Sequence, residues 1–277
     1  MAIIRSLLPA DLPAVVTLTD DAARRALVGR PLWETEAEAA AEVGAPGRRA
    51  FFVAEDEESA AIAGVAGYRL LPDGEAELFG PLVAVESGGV GSWLERRVTA
   101  LAAQEGAVGF SMLIGLGNKS GQAWAEWRGY VHDSEAPELL LTWLYPGELR
   151  PVAAGGGLVR PAAPGDRGRL EWLVAESFPG RRVRPEQWLA DAWVLELEGE
   201  VAGCMRFCRA TGWIDCVCVD PALRRRGLGA RLLTEAARMA APGKVGLAVP
   251  IDDAAAVSLV RRLGFRREVP VARWMKR

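Results

Sequence analysis

The sequence predicts an α/β protein of two similar halves in tandem, each an α+β arrangement with a mixed sheet and helices on both faces. Along its 277 residues, short apolar runs with strand periodicity alternate with longer runs of helical periodicity. The stretch from Pro146 to Gly157 holds two prolines and three consecutive glycines and has the composition of a linker. On either side of it three pairs of landmarks recur in the same order: Ala63-Gly64 with Ala202-Gly203, Gly89-x-Gly91 with Gly227-x-Gly229, and Gly129-Tyr130 with Gly264-Phe265. The expected division is a first domain over 1–145, a linker over 146–157 and a second domain over 158–277.

The first half opens with a strand at Ala2 to Arg5, and Pro9-Ala-Asp-Leu-Pro starts a helix through Val15, Leu18 and Ala22. Thr35 to Glu42 is a second helix, with Thr35 and Glu38 at capping-box spacing and Gly44-Ala-Pro46 closing it. Phe51 to Ala54 and Ile62 to Leu70 read as a hairpin across the acidic turn Glu55 to Ser59, and Leu78 to Val85 is the next strand. Val90, Leu94, Val98 and Leu101 share one face of a helix. A strand at Val108 to Ile114, a helix at Asn118 to Arg128 and a strand at Leu139 to Leu144 complete the half.

The second half repeats the order. Leu158-Val-Arg-Pro is a strand, Pro164-Gly-Asp leads a helix, and Trp193 to Leu197 with Val201 to Cys208 form a hairpin around Glu198-Gly199-Glu200. Then come a strand at Ile214 to Val219, a helix from Gly227 to Ala240, a strand at Val245 to Val249, a helix at Asp253 to Leu263 and a closing strand through Val271.

Composition excludes several classes of function. A formal net charge of −3 gives no electrostatic reason to expect nucleic acid or an anionic membrane as partner. The N-terminus has no signal-peptide pattern and no apolar stretch reaches the length of a membrane span, so a soluble cytoplasmic protein is expected. All four cysteines, Cys204, Cys208, Cys216 and Cys218, lie in one short region, unlike a secreted disulfide framework. Their spacing on strands lacks the turn that presents thiolates to zinc, so buried free thiols are the better reading. The single histidine, His132, rules out any mechanism needing two.

The most informative stretch runs from Trp213 to Arg231: a strand that stops at Asp220-Pro221, three consecutive arginines (Arg224, Arg225, Arg226), and a helix starting around Gly227. Amides at a helix start next to glycines form an anion site, because a missing Cβ lets a phosphate oxygen approach the N–H groups. The helix dipole and the arginines add positive potential. Glycines at this position also serve helix-to-sheet packing. No Gly-Lys-Ser/Thr follows, so this is not a Walker loop.

Arg224-x-x-Gly227-x-Gly229-Ala230, with Val219-Asp220-Pro221 ahead of it, resembles the coenzyme A loop of the GNAT acetyltransferase superfamily. That resemblance covers nearly the whole chain and implies two tandem GNAT acyl-CoA N-acyltransferase folds, with acetyl-CoA as co-substrate. It implies that two parallel strands splay apart ahead of the loop, that Val217 and Val219 offer backbone groups to the pantetheine arm, and that the Val217 amide faces the thioester carbonyl. Arg224, Arg225, Arg226, Gly227, Leu228, Gly229 and Ala230 would hold the pyrophosphate. On the late helix the family's Asn-x-x-Ala-x-x-Leu-Tyr pattern falls on Asp253, Ala256, Leu259 and Val260, so the tyrosine that protonates the leaving thiolate is missing.

Asp215, two residues before Val217, is placed to accept the proton of an attacking amine, or else to pair with an arginine; Glu171 and Glu176 are alternatives. In the first half the loop is four residues shorter, since Val85 reaches Gly89 where Val219 reaches Gly227, and Glu86 stands at the arginine position. Gly80-Pro81 replaces the strand carboxylate, and Ala125 stands where the tyrosine belongs although Asn118 matches the asparagine. The first half is therefore expected to keep the fold for structure or substrate recognition, with little or no coenzyme binding. Arg181, Arg182 and Arg184 form either a subsite for an acidic acceptor or a solvated basic loop, and the latter is favoured. Trp124, Trp127, Trp188 and Trp193 are expected in cores or between the halves.

The expected function is an acetyl-CoA dependent N-acetyltransferase working in the second half by direct attack of a small-molecule, peptide or protein amine. The rival is a non-catalytic acyl-CoA binding or sensor module, favoured by the valine at 260. Either a monomer or a homodimer is compatible with this reading.

Overall fold

The computed structural model describes residues 2–19, 33, 35–44, 49–71, 74–84, 89–178, 189–240 and 243–277. The expected places of Ala22, Ala45-Pro46, Val85 to Ser87, Arg181, Arg182, Arg184 and Trp188 lie outside these residues. In chain order the first elements are β1 (Ala2–Ser6), α1 (Leu12–Thr19), α2 (Glu36–Gly44), β2 (Arg49–Asp56), β3 (Ile62–Leu70), β4 (Glu75–Val83), α3 (Val90–Gln104), β5 (Gly109–Gly115), α4 (Lys119–Trp127), β6 (Val131–His132) and β7 (Leu139–Leu144). They are followed by β8 (Leu158–Pro161), α5 (Arg167–Ser177), β9 (Ala192–Leu197), β10 (Glu200–Cys208), β11 (Trp213–Val219), α6 (Leu228–Ala240), β12 (Val245–Pro250), α7 (Ala254–Leu263) and β13 (Arg266–Lys276). The chain divides into two compact units, Met1–Leu139 with Val269–Arg277, and Leu140–Glu268.

In the first unit the strand order is β1-β2-β3-β4-β5-β13, and β6 pairs the outer part of β13. All of these pairs are antiparallel except β4 with β5. Strand β2 shows why the unit has three layers. Its alternate residues Phe52 and Ala54 join a core with Leu94 and Val98 of α3, while Phe51 and Val53 join a second core with Val15 of α1 and Ala39 of α2. Successive strand side chains point to opposite faces, so an apolar run of this kind demands cover on both sides. Trp33 and Phe79 close the second core around Phe51, at ring-centre separations of 5.1 and 5.7 Å.

The second unit has the order β7-β12-β11-β10-β9-β8 and repeats the plan, with β11 and β12 as its parallel pair. Cys204 of β10 packs under α5 with Leu170, Leu173 and Val174, while its neighbour Met205 packs under α6 and α7 with Leu232, Leu233, Val260 and Leu263. Both units start alike. Arg5 bonds Asp11 and Glu55 in the first, and Arg160 bonds Asp166 and Glu196 in the second. A short 3-10 turn, Pro9–Asp11 or Pro164–Asp166, sits at the same point in each.

The units do not follow the boundaries read from the sequence. Strand β7, which ends the first half, belongs to the second unit, and most of β13 belongs to the first. The halves thus exchange their last strands, which apolar patterning cannot reveal because either strand suits either sheet. The segment 146–157 is also no free linker. Leu149 and Val152 pack on the second unit's core, and the Arg150 amide donates to the Leu263 carbonyl at 2.9 Å.

Candidate active site

The parallel ladder between β11 and β12 consists of two register pairs, Trp213 with Gly246 and Ile214 with Leu247. Beyond Ile214 the strands part, so the stretch from Asp215 to Val219 has β10 on one side and an opened edge on the other. The first unit does the same, its β4–β5 ladder ending at Leu78 with Met112. Its opening is a cleft of about 70 Å³ lined in part by Phe79, Pro81, Ile114, Asn118 and Trp124, with a cis bond between Gly80 and Pro81.

At Asp215 strand β11 carries one residue more than its partner: Arg206 stands opposite Cys216, and Phe207 opposite Ile214. This β-bulge breaks simple alternation. Ile214, Val217 and Val219 face the core under α6, whereas Cys216 and Cys218 face the core under α5. The Asp215 carboxylate lies 3.3 Å from the Arg206 guanidinium, whose other neighbour is Asp191 at 3.8 Å. Of the outcomes foreseen for Asp215, the arginine pair is the one present. Glu171 pairs instead with Arg167 on the exposed face of α5 at 3.1 Å.

After β11 the chain turns at Asp220. Its carboxylate accepts from the Ala222 amide at 2.8 Å and also pairs with Arg169 of α5. The Ala222 amide first, and then Arg169, hold this carboxyl below its ordinary range. Arg169 also donates to the Val201 carbonyl at 3.0 Å and lies over the Trp172 ring at 4.3 Å. Asp220 and Arg169 thereby fix the strand end from which the loop starts. The Asp-Pro step was visible in the sequence, but its partner fifty-one positions earlier carries no local signal.

Arg224, Arg225 and Arg226 are exposed, and Arg225 takes a left-handed backbone with φ of 65°. The Arg224 Nε donates to the Val219 carbonyl at 3.3 Å, and no side-chain partner of Arg225 or Arg226 occurs among the described residues. Leu228 and Ala230 are buried, so their side chains face the core and only their backbone is available to a ligand. The glycines have packing duties. A Cβ on Gly227, at φ of 78°, would come within 2.6 Å of the Gly155 nitrogen and 2.9 Å of the Ala153 oxygen. A Cβ on Gly229 would lie 3.2 Å from Leu259 Cδ2. The open approach expected above Gly227 is thus filled on its Cβ side by the chain's own segment 153–155.

Asp253 caps α7, its Oδ1 accepting from the Ala255 and Ala256 amides at 3.1 and 2.9 Å. Asn118 caps α4 in the same way, taking the Gly121 amide at 2.7 Å. Val260 and Ala125, at the two tyrosine positions, are both buried. The four cysteines are free; Cys204 stands opposite Cys218, and the hydrogen bond with this neighbouring thiol first, and then burial, hold the Cys204 thiol far above its ordinary range. Among the described residues no cluster could hold a metal, and no helix is long and apolar enough to cross a membrane.

The site is thus an opened parallel strand pair followed by a basic glycine loop and a helix start. A family model described as "Acetyltransferase (GNAT) domain" matches residues 189–267. A GCN5-related N-acetyltransferase from Sphaerobacter thermophilus is 19% identical, with a TM-score of 0.71 over 99% of this chain and 95% of that one. A tandem GNAT protein from the clavulanic acid biosynthesis pathway is 16% identical, with a TM-score of 0.62 over 100% of this chain and 98% of that one. A putative acetyltransferase from Pyrococcus horikoshii is also 16% identical, with a TM-score of 0.62 over 99% and 89%. No curated protein matches the sequence. Residues 189–267 thus match a GNAT domain model, and the whole chain takes a fold similar to that of a tandem GNAT protein.

Proposed function

We propose that the second unit is an acetyl-CoA dependent N-acetyltransferase and that the first keeps the same fold without a working coenzyme loop. The observation that carries this is the β11–β12 ladder, which ends at Ile214 and Leu247 and leaves the rest of β11, up to Val219, with an opened edge on the strand that leads to the arginines and the start of α6. An opened strand edge next to a helix start gives an extended amide-bearing arm something to pair with and its phosphates something to meet. The donor set fits: exposed Arg224, Arg225 and Arg226 surround backbone N–H groups at the start of a thirteen-residue helix.

In this reading Arg224, Arg225, Arg226 and the amides from Gly227 to Ala230 bind the pyrophosphate, with Val217 and Val219 along the arm. Asp253 acts indirectly, by fixing the start of α7. An acceptor amine attacks the thioester carbonyl, the new C–N bond forms, and the C–S bond then breaks. The Val217 amide donates to the oxyanion formed in between. Asp215 lies beside this point; its pair with Arg206 fixes its position, from which it takes the proton of the attacking amine. No tyrosine serves the thiolate, since Val260 is buried, so the sulfur is protonated by solvent after it leaves.

The valine at position 260, in place of the tyrosine, favours the second reading, an acyl-CoA binding module that does not turn over. Calorimetric titration of the full chain with acetyl-CoA, followed by thiol release with a panel of amines, separates the readings. One site per chain with turnover supports the enzyme, one site without turnover on any amine supports the module, and no binding ends both.

A further inference from the structure

The segment 153–157 and the loop at 224–228 lock together through two glycines. The Gly155 amide donates to the Gly227 carbonyl at 3.1 Å, the same carbonyl that accepts from the Arg231 amide in the first turn of α6. A Cβ on Gly155 would lie 2.5 Å from the Arg226 oxygen and 2.7 Å from Leu228 Cδ2. A Cβ on Gly227 would collide with Ala153, Ala154 and Gly155 in return. Backbone therefore packs on backbone from both sides, a contact that no other residue type permits at either position.

The rest of the segment is tied down as well. Glu148 and Arg150 lie against Gly264 at the end of α7, where a Cβ would meet the Glu148 oxygen at 2.3 Å. At the other end Gly157 takes a left-handed backbone, φ 107°, against the Glu196 carbonyl of β9. Of the three consecutive glycines, Gly156 alone has open space, with nothing within 4 Å of its Cβ position. A flexible linker has no reason to be anchored at α7, at the start of α6 and at β9 in turn.

We propose that 153–157 is a strap that positions the phosphate-binding loop, with Gly155 its positioning residue. The strap holds Gly227 in its left-handed conformation, and so aims the amides that follow it. This inference rests on the reading of 224–230 as an acyl-CoA pyrophosphate site. Coupling between strap and ligand must then be reciprocal: the ligand binds better with the strap seated, and the strap is held more firmly with the ligand bound.

The test compares full-length wild type, Gly155→Ala and Gly156→Ala by calorimetry with acetyl-CoA and with S-acetylpantetheine, which has no pyrophosphate. Gly155→Ala is expected to weaken acetyl-CoA about tenfold and to leave S-acetylpantetheine unchanged, while Gly156→Ala changes neither. Should Gly155→Ala fail to fold, hydrogen exchange on wild type decides: acetyl-CoA is expected to slow exchange at the Gly155 amide more than S-acetylpantetheine does. Acetyl-CoA affinity unchanged by Gly155→Ala, equal losses for both ligands, or equal protection by both overturns the strap alone. A wild type that binds no acetyl-CoA overturns the site on which the strap is argued.

Discussion

Arg206 and Asp215 meet across the β10–β11 hairpin at 3.3 Å, at the one point where β11 carries an extra residue. The bulge frees Asp215 from the regular ladder, and the guanidinium then fixes it beside the strand edge where Val217 lies. Asp215→Asn is therefore expected to reduce kcat by about a hundredfold, the low end for a general base, with acetyl-CoA affinity unchanged. Steady-state rates with an accepted amine and calorimetry on the same variant check this, and unaltered kcat would leave Asp215 as an anchor for the bulge only.

Gly229 is a sharper probe of the loop than Gly227, because nothing from the strap touches its Cβ position. The nearest atoms there are Leu259 Cδ2 at 3.2 Å and Val219 Cγ2 at 4.0 Å. One methyl requires a few tenths of an ångström from a side chain that can shift, whereas a branched side chain pushes α6 away from α7 and β11. Gly229→Ala should keep acetyl-CoA binding within a fewfold of wild type. Gly229→Val should abolish measurable binding and cost about 1–3 kcal/mol of stability. Calorimetry with thermal unfolding reads both, and full binding by the valine variant would remove the α6 start from the site.

The duplication was legible because landmarks such as Ala63-Gly64 and Gly129-Tyr130 recur in order as Ala202-Gly203 and Gly264-Phe265, and the structure adds that the Arg5–Asp11 bond recurs as Arg160–Asp166 and that the caps Asn118 and Asp253 begin corresponding helices. The exchange of β7 and β13 was not, since an apolar strand does not encode which of two similar sheets receives it. Composition also misled at 146–157. Glycine there serves close backbone approach at Gly155 and a left-handed turn at Gly157, and both uses look identical to flexibility when only the residue type is known. The bulge at Asp215 was not legible either, since it shifts a strand by one residue without any mark in the local sequence.

The repeated ion triads make an acid-stability prediction. The Arg5 and Arg160 side chains, as the leading cause, hold the Asp11 and Asp166 carboxyls below their ordinary value of 3.8. A carboxyl that is more acidic folded than unfolded stabilises the fold above its unfolded value, and that contribution is lost as pH falls through the folded value. Stability should therefore decline progressively below about pH 4. Asp11→Asn and Asp166→Asn should each lose stability at pH 7 and show a shallower decline on the acid side. Denaturant midpoints across pH 2–7 measure this, and an unaltered acid limb in both variants would deny the triads any share in it.

Glu95 is the most consequential buried charge in the first unit. Its side chain is fully covered; one oxygen accepts from both Nε and an Nη of Arg128, and the other accepts from Tyr130 at 2.9 Å and Lys276 at 3.3 Å. Burial first, and then the Glu95 charge, keep the Tyr130 phenol protonated far above its ordinary range, so it stays a donor. Glu95→Ala leaves the Arg128 cation, itself only 15% exposed, without its partner. The expected loss is about 3–5 kcal/mol, the cost of breaking a buried pair from one side. Replacing both members, Glu95→Met with Arg128→Met, should recover only part of that loss, because the desolvation of this pair disappears along with its attraction while Tyr130 and Lys276 still lose their acceptor. Since Lys276 of β13 bonds Glu95, amide exchange near the end of that strand should quicken in Glu95→Ala and in the double variant alike. Equal stability of Glu95→Ala and wild type in urea would show that the four groups are neighbours without being coupled.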